Sequence, residues 1–352
     1  MMTLRNNPIF QEDMAAILSD PVVPWNELRG KTVFITGATG LIGYTLASAL
    51  LQYDLERGGN IRVIALVRDR KRAEEKFADW LAVSGAWLVF TEGTVEDGPE
   101  ISGAVDYMIH CACPTDSAWF AEHPAETIET IYAGTKYVLE LAREKAARGV
   151  VFLSSMEVYG EIRTRQKLSE ADLGRIDVTS PRSSYPEGKR LAENLCCAYA
   201  KEYGVPVTIA RLAQTFGPGV DRSDGRVFAY LARCALAGEN IRLNTDGSKE
   251  SMYLYTADAV SALLLLLVRG ERGAAYNAAS EETYCSVREM AELAAETLGR
   301  GAVQVELNVG QGSAGKYRPD GYCRLDVSRL GALGWNPRTG LAEMYRRMAA
   351  AF

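Results

Sequence analysis

The sequence predicts an α/β fold, a doubly wound parallel sheet followed by a smaller C-terminal lobe. Two observations carry this. Short apolar runs recur along the first two thirds of the chain with helical stretches between them, and the first run leads directly into a glycine-rich turn. The runs are Thr32–Thr36, Arg62–Val67, Trp87–Phe90, Tyr107–Cys111, Val150–Ser154 and Val205–Arg211. They do not alternate apolar with polar residues, as expected of parallel strands covered on both faces. Strand–helix alternation then gives the doubly wound order. Leu41–Leu51 has helical periodicity, and Leu263–Val268 reads as one buried helix ended by Arg269 and Gly270.

The first strand enters Gly37-Ala38-Thr39-Gly40-Leu41-Ile42-Gly43, which is G-x-x-G-x-x-G. A dinucleotide pyrophosphate needs close backbone approach and a helix N-terminus. Gly37 permits the tight turn, Gly40 clears the phosphate, and Gly43 lets the helix pack closely. With a strand before it and a helix after it, the turn predicts a Rossmann-type NAD(P) site holding Gly37, Thr39, Gly40, Leu41, Ile42 and Gly43. Thr94 and Val95, beyond the third strand, are further cofactor-binding candidates. The second strand ends in Val67-Arg68-Asp69-Arg70. An acid there favours NAD and an arginine accommodates a 2′-phosphate, so Arg68 leans toward NADP. Solvated surface charge is the other reading of Arg68 and Arg70. On this basis residues 1–30 are an N-terminal extension, with a short helix over Glu12–Leu18. Residues 31–216 form the NAD(P)-binding domain. Residues 217–352 are mainly a substrate-binding lobe, with some segments returning to the first domain. Gln311–Asp320 reads as a mobile loop.

Tyr185 and Lys189 stand four apart in a helical stretch, on one face. Pro186 is tolerable in a first helical turn. A tyrosine acts as a base only if its phenol ionises below its usual value, which a lysine ammonium and an oxidised nicotinamide both promote. An alcohol can then lose its proton to Tyr185 while hydride leaves for the nicotinamide. Ser155, where the fifth strand leaves the sheet, is placed to hold the reacting oxygen. Ser154 reads rather as satisfying backbone groups at the strand end.

Composition excludes several classes. The net charge of -6 gives no footprint for nucleic acid. Seven cysteines without zinc-like spacing read as free thiols in a reducing compartment. The two histidines, His110 and His123, are too few for a His-based metal site, so no metal is expected. No apolar leader or membrane-length run appears, which predicts a cytoplasmic protein without a membrane partner.

With TGATGLIG, SSMEVYG and YPEGK in order, the chain resembles the NAD-dependent epimerase/dehydratase family of extended short-chain dehydrogenases over about residues 31–345. His110-Cys111-Ala112, Arg211–Pro218 (RLAQTFGP), Asp224-Gly225-Arg226-Val227 and Leu333-Gly334-Trp335 add to the likeness. HCACP, YPEGKRLAEN and SDGRV are most similar to UDP-glucuronate decarboxylases. The resemblance implies a nucleotide-sugar substrate, a tightly held NAD, transient oxidation at sugar C4 and a homodimer joined by helices like the one bearing Tyr185. It gives Glu157 as an acid–base candidate, the other reading being a carboxylate that bonds its own loop.

The chain also departs from the family. Dehydratases have an aspartate at Met156, and decarboxylases a serine there with an arginine at the place of Ser251, an arginine common across the family as an anion ligand, so its loss bears on decarboxylation and on how a diphosphate is held. Gln214 and Ile131 stand for usual asparagines. Gln214 and Arg226 are the substrate-binding candidates, Arg226 reading otherwise as a surface charge. Met156 cannot serve as the acid for dehydration, so 4-epimerisation is favoured over dehydration and decarboxylation. An NADPH-dependent reductase of a keto-sugar or other small ketone is the alternative. A non-catalytic NAD(P)-binding sensor or scaffold is the third reading.

Overall fold

The computed structural model describes residues 3–114, 117–308 and 321–352. The predicted loop Gln311–Asp320 lies outside them. Residues 3–30 are not a loose tail. Helix α1 (Pro8–Ser19) starts at Asn7, whose side chain accepts from the N–H groups of Ile9 and Phe10, and has Pro8 in its first turn. It buries Phe10, Met14 and Ile17. A short turn, α2 (Trp25–Leu28), leads to the first strand.

The sheet strands follow in order: β1 (Thr32–Thr36), β2 (Arg62–Val67), β3 (Leu88–Glu92), β4 (Tyr107–His110), β5 (Gly149–Ser155) and β6 (Val207–Leu212). The intervening helices are α3 (Leu41–Arg57), α4 (Arg70–Lys76), α5 (Ala78–Ser84), α6 (Ser117–Glu122), α7 (Pro124–Glu144) and α8 (Ser184–Glu202). The helix read over Leu41–Leu51 runs on to Arg57. Its polar last turns do not end it; Gly58 does, at φ 61° in the left-handed region.

After β6 come β7 (Gln214–Phe216), α9 (Val227–Ala237), β8 (Ile241–Leu243), β9 (Glu250–Tyr255) and α10 (Thr256–Arg269). β10 (Ala275–Ala278), β11 (Ser280–Ser286), α11 (Val287–Leu298), β12 (Val305–Leu307), β13 (Tyr322–Cys323), α12 (Ser328–Gly331) and α13 (Leu341–Ala349) complete the order. α10 has Leu263–Leu267 buried, as its sequence predicts, and packs on the large sheet.

The large sheet has seven parallel strands in the order β10-β6-β5-β4-β1-β2-β3. From β1 the chain winds outward through β2 and β3, then returns to β4 on the other side. The gap between β1 and β4 is therefore the topological switch point, where open sheets of this kind bind ligands. β10, although late in the sequence, is an edge strand of this sheet. A separate small sheet joins β11, β9 and β13, with β7 also paired to β9.

Arg347 of α13 ties the two ends of the chain together. It bonds Asp13 of α1 at 2.9 Å and the hydroxyl of Tyr255 at 2.9 Å, while that hydroxyl donates to Asp13 at 2.7 Å.

Candidate active site

The glycine turn sits at the switch point. Gly37 has φ 67°, and a Cβ there would lie 2.7 Å from the amide of Ala112, just after β4. Only glycine lets these two loops meet. A Cβ on Gly43 would strike the Gly37 carbonyl at 2.3 Å, so that glycine allows α3 to close on the turn. Gly40 differs. A Cβ on it would meet only the Gly37 oxygen, at 3.2 Å, so the space it clears lies in front of α3. Gly40 is also the N-cap, with no side chain bonding the first turn. The leading N–H groups of α3, from Leu41 and Ile42 onward, are thus left for an anion, and the cradle fits a dinucleotide pyrophosphate. Thr39 contributes its carbonyl to Lys76 at 2.7 Å, a contact the sequence reading missed.

At the end of β2, Asp69 is occupied as the N-cap of α4, accepting from Arg72 at 2.9 Å. Arg70 pairs with Glu74. Arg68 is exposed at the strand end. Thr94 bonds Asp97 at 2.7 Å, and Val95 is buried against Gly134 of α7. Both follow Gly93, whose amide donates to the Val67 carbonyl at 3.0 Å, so they lie at the same sheet edge as the glycine turn.

β5 and α8 bring Ser155, Tyr185 and Lys189 together. The Ser155 hydroxyl lies close enough to the Tyr185 phenol to favour its ionised form, and it accepts from the Glu157 amide at 3.2 Å. Lys189 is buried and donates to the Leu153 carbonyl at 2.7 Å, with its ammonium 5.8 Å from the centre of the Tyr185 ring. The lysine is held by the strand and lies over the ring instead of bonding its hydroxyl. Burial pushes the Tyr185 phenol well above its usual ionisation range, and Cys113 and Glu157 push the same way. The Ser155 hydroxyl and Arg226 oppose them without winning. In the free protein Tyr185 is therefore a protonated phenol, poised to donate; to act as base it needs added positive charge.

Two neighbours of Tyr185 were not anticipated. Cys113, after β4, lies within hydrogen-bonding reach of Lys189, and burial raises its thiol. Phe120 of α6 stacks on the Tyr185 ring, with centroids 4.4 Å apart and planes 13° from parallel. Cys113 was findable, since it follows a strand end at the switch point; the stack depends on where α6 packs.

Ser154 is structural, but not by bonding backbone as expected. It donates to Glu193 of α8 at 2.5 Å. Glu193 also receives Arg211 of β6 through two nitrogens, at 2.7 and 3.0 Å, both side chains being buried. Arg211 reaches on to Tyr159, whose hydroxyl donates to Asn277 of β10 at 2.6 Å. This network clamps α8 one turn beyond Lys189. His110 is a core residue: it shares a 2.7 Å hydrogen bond with Thr36, and burial, with Lys189 nearby, pulls its pKa down to about 3. No cluster of metal-ligating side chains occurs among the described residues.

Of the residues expected to bind substrate, Arg226 precedes α9 and is gripped by Asp224 at 3.0 and 2.6 Å, which offsets its charge. It still acts electrostatically on Tyr185. Gln214 is half-buried at the start of β7, paired with Tyr253. Ile131 is buried on α7 against Gly188. Met156, between Ser155 and Glu157, touches Ser251: the serine hydroxyl lies 3.6 Å from the thioether sulfur.

Comparisons with known proteins agree with the family and the fold. The sequence model of the NAD dependent epimerase/dehydratase family matches residues 33–279. UDP-glucuronic acid decarboxylase 1 of Xenopus tropicalis is 30% identical over 324 residues, 92% of this chain and 72% of that protein. The UDP-glucose 4-epimerase of Thermotoga maritima, solved with UDP-glucose, superposes with a TM-score of 0.74 at 22% identity, covering 91% of this chain and 98% of that one. A UDP-glucuronic acid 4-epimerase of Bacillus cereus, solved with NAD, gives 0.75 at 19%, covering 91% and 98%. The family is NAD-dependent, and the switch-point cradle is built for such a cofactor. No described helix is long and apolar enough to cross a membrane. The chain belongs to the NAD dependent epimerase/dehydratase family.

Proposed function

We propose that the protein is a nucleotide-sugar 4-epimerase working by transient oxidation of a ring carbinol. The observation that carries this is the Ser155–Tyr185–Lys189 cluster, its tyrosine and lysine buried, beside the glycine turn. NAD, when bound, supplies a hydride acceptor and donor and a positive ring beside Tyr185. The chain's own groups manage the oxygen and its proton. Ser155 holds the oxygen. The Tyr185 hydroxyl oxygen takes the proton as the ketone forms and returns it as the alcohol is restored. Lys189, fixed on the Leu153 carbonyl, keeps positive charge over the phenol ring.

Decarboxylation of a uronate is the second reading, favoured by the named relatives. Against it stand Met156 and Ser251, which offer a carboxylate no cation. Turnover in deuterated water decides between them. Pure 4-epimerisation exchanges no carbon-bound hydrogen, whereas decarboxylation and dehydration pass through chemistry at C5 and incorporate deuterium there. Deuterium at C5, lost in Glu157→Gln, would overturn the epimerase reading and make Glu157 a base.

The protein is further proposed to be a homodimer through α7 and α8. These helices pack on one another and expose Ile128, Tyr132 and Leu191. Light scattering should give twice the monomer mass, and Leu191→Asp should lower it. A monomeric wild type rejects the assignment.

A further inference from the structure

A loop from the C-terminal lobe passes beside the glycine turn. It runs from β7 to α9, and both of its feet are fixed. Gly217 sits against Thr256, the first residue of α10: a Cβ on the glycine would lie 2.8 Å from the threonine hydroxyl oxygen. Arg233 of α9 donates to the carbonyls of Arg222 and Asp224, at 2.8 and 2.6 Å. The crest between these feet, Gly219–Asp221, meets the turn at two points. A Cβ on Gly219 would lie 3.5 Å from the side chain of Leu41, the residue that opens α3. Asp221 and Lys76 attract one another, and Lys76 is itself held on the Thr39 carbonyl at 2.7 Å. The crest therefore runs along the same Thr39–Leu41 stretch that leads into the pyrophosphate cradle.

The start of the chain packs on this crest. The same Cβ on Gly219 would lie 2.8 Å from a methyl carbon of Leu4, and Gly219 has φ 94°. Glycine lets leucine, crest and α3 come this close. The residues around Leu4 are anchored on α5. Thr3 donates its hydroxyl to the Asp79 carboxylate, Asn6 donates to the same carboxylate at 3.1 Å, and Arg5 lies over the Trp80 ring at 4.6 Å. Gln11 of α1 donates to the Arg5 carbonyl. The bonds to Asp79 are exposed and Leu4 is only partly buried against the core, so the segment is held by several weak contacts. Such a segment opens locally while the core stays folded.

We propose that Thr3–Asn7 is a latch that holds the crest Gly219–Asp221 against the glycine turn and sets how fast NAD enters and leaves. With Leu4 seated, the crest stays beside Leu41 and narrows the way to the cradle. With Leu4 withdrawn, the crest loses the side chain packed on it and moves between its two fixed feet. The latch grips the loop and α5, and the N–H groups of the cradle belong to α3. Loosening it should therefore speed entry and exit by a similar factor and change affinity little. The inference rests on the NAD site and not on the epimerase reading, so either can fail without the other.

The test is exchange of NAD alone on the full-length protein. Association is followed by quenching of tryptophan fluorescence, and dissociation by chasing bound NAD with excess NADH, whose own fluorescence reports its arrival. Leu4→Asp should raise both rate constants roughly tenfold, the scale for losing one leucine contact, while Kd moves by less than about threefold. Asp79→Ala removes the anchor without altering Leu4 or the loop, and should raise both rates by a smaller factor. Urea unfolding checks that each variant is folded. If Leu4→Asp does not fold, Leu4→Ala and Asp79→Ala decide. Wild-type exchange rates in the folded variants overturn the inference. So does a weaker Kd carried by dissociation alone, because the segment would then shape the bound site instead of gating it.

Discussion

Tyr185→Phe is expected to bind NAD as the wild type does and to lose turnover by roughly 10²–10⁴-fold, the usual scale for a general acid–base group. The substitution deletes one oxygen. The ring is retained, with its stack on Phe120 and the Lys189 ammonium across it. The glycine turn and the Leu153–Lys189 bond do not involve that oxygen. What is lost is the group to which this mechanism assigns the substrate's proton, as the serine hydroxyl is a far weaker acid and base. The pH profile should separate the two proteins further. Burial holds the wild-type phenol above its ordinary range, so in the oxidative half-reaction the basic form increases as pH rises. The wild-type rate should climb with pH through neutrality, and the residual rate of the variant should not. Single-turnover absorbance of the reduced nicotinamide reads both. Near-normal turnover in Tyr185→Phe would exclude Tyr185 as the proton carrier.

The parts of this site that were readable in the sequence are those fixed over short stretches. Gly37, Gly40 and Gly43 declare a turn because the backbone itself makes the cradle. Tyr185 and Lys189 share a face because a helix has a set period. Ser155 is marked by its place at a strand end. What the sequence hides is fixed by contacts between distant segments. Met156 reads alone as a missing acid; its packing on Ser251 depends on the small sheet settling beside the large one. The same holds for Phe120 over Tyr185, and for the bonds that join Asp13 of α1 to Tyr255 and Arg347. Asp69 and Arg226 have local partners that the sequence does not show, Asp69 capping α4 and Arg226 pairing with the nearby Asp224.

Arg211→Met should cost about 3–5 kcal/mol of unfolding free energy, the scale for removing one partner of a buried ion pair. Arg211 and Glu193 are almost wholly enclosed, with side chains 6% and 9% exposed, so water cannot take over the lost partner. The methionine fills most of the space, which limits the cavity contribution and leaves the electrostatic one. Glu193 would keep only the Ser154 hydroxyl, and a carboxylate buried with one neutral donor is poorly satisfied. The carbonyl of Glu170 and the hydroxyl of Tyr159 would lose their donor as well. Exposed pairs such as Arg288–Glu292 make the contrast: breaking that one should change stability by well under about 1 kcal/mol. Urea unfolding of both variants measures the difference. The double variant Arg211→Met with Glu193→Leu should recover part of the loss, because it removes the stranded charge together with its partner. If Arg211→Met alone lies within about 1 kcal/mol of the wild type, the network is not what clamps α8, and Lys189 owes its position to the packing of α7 against α8 instead.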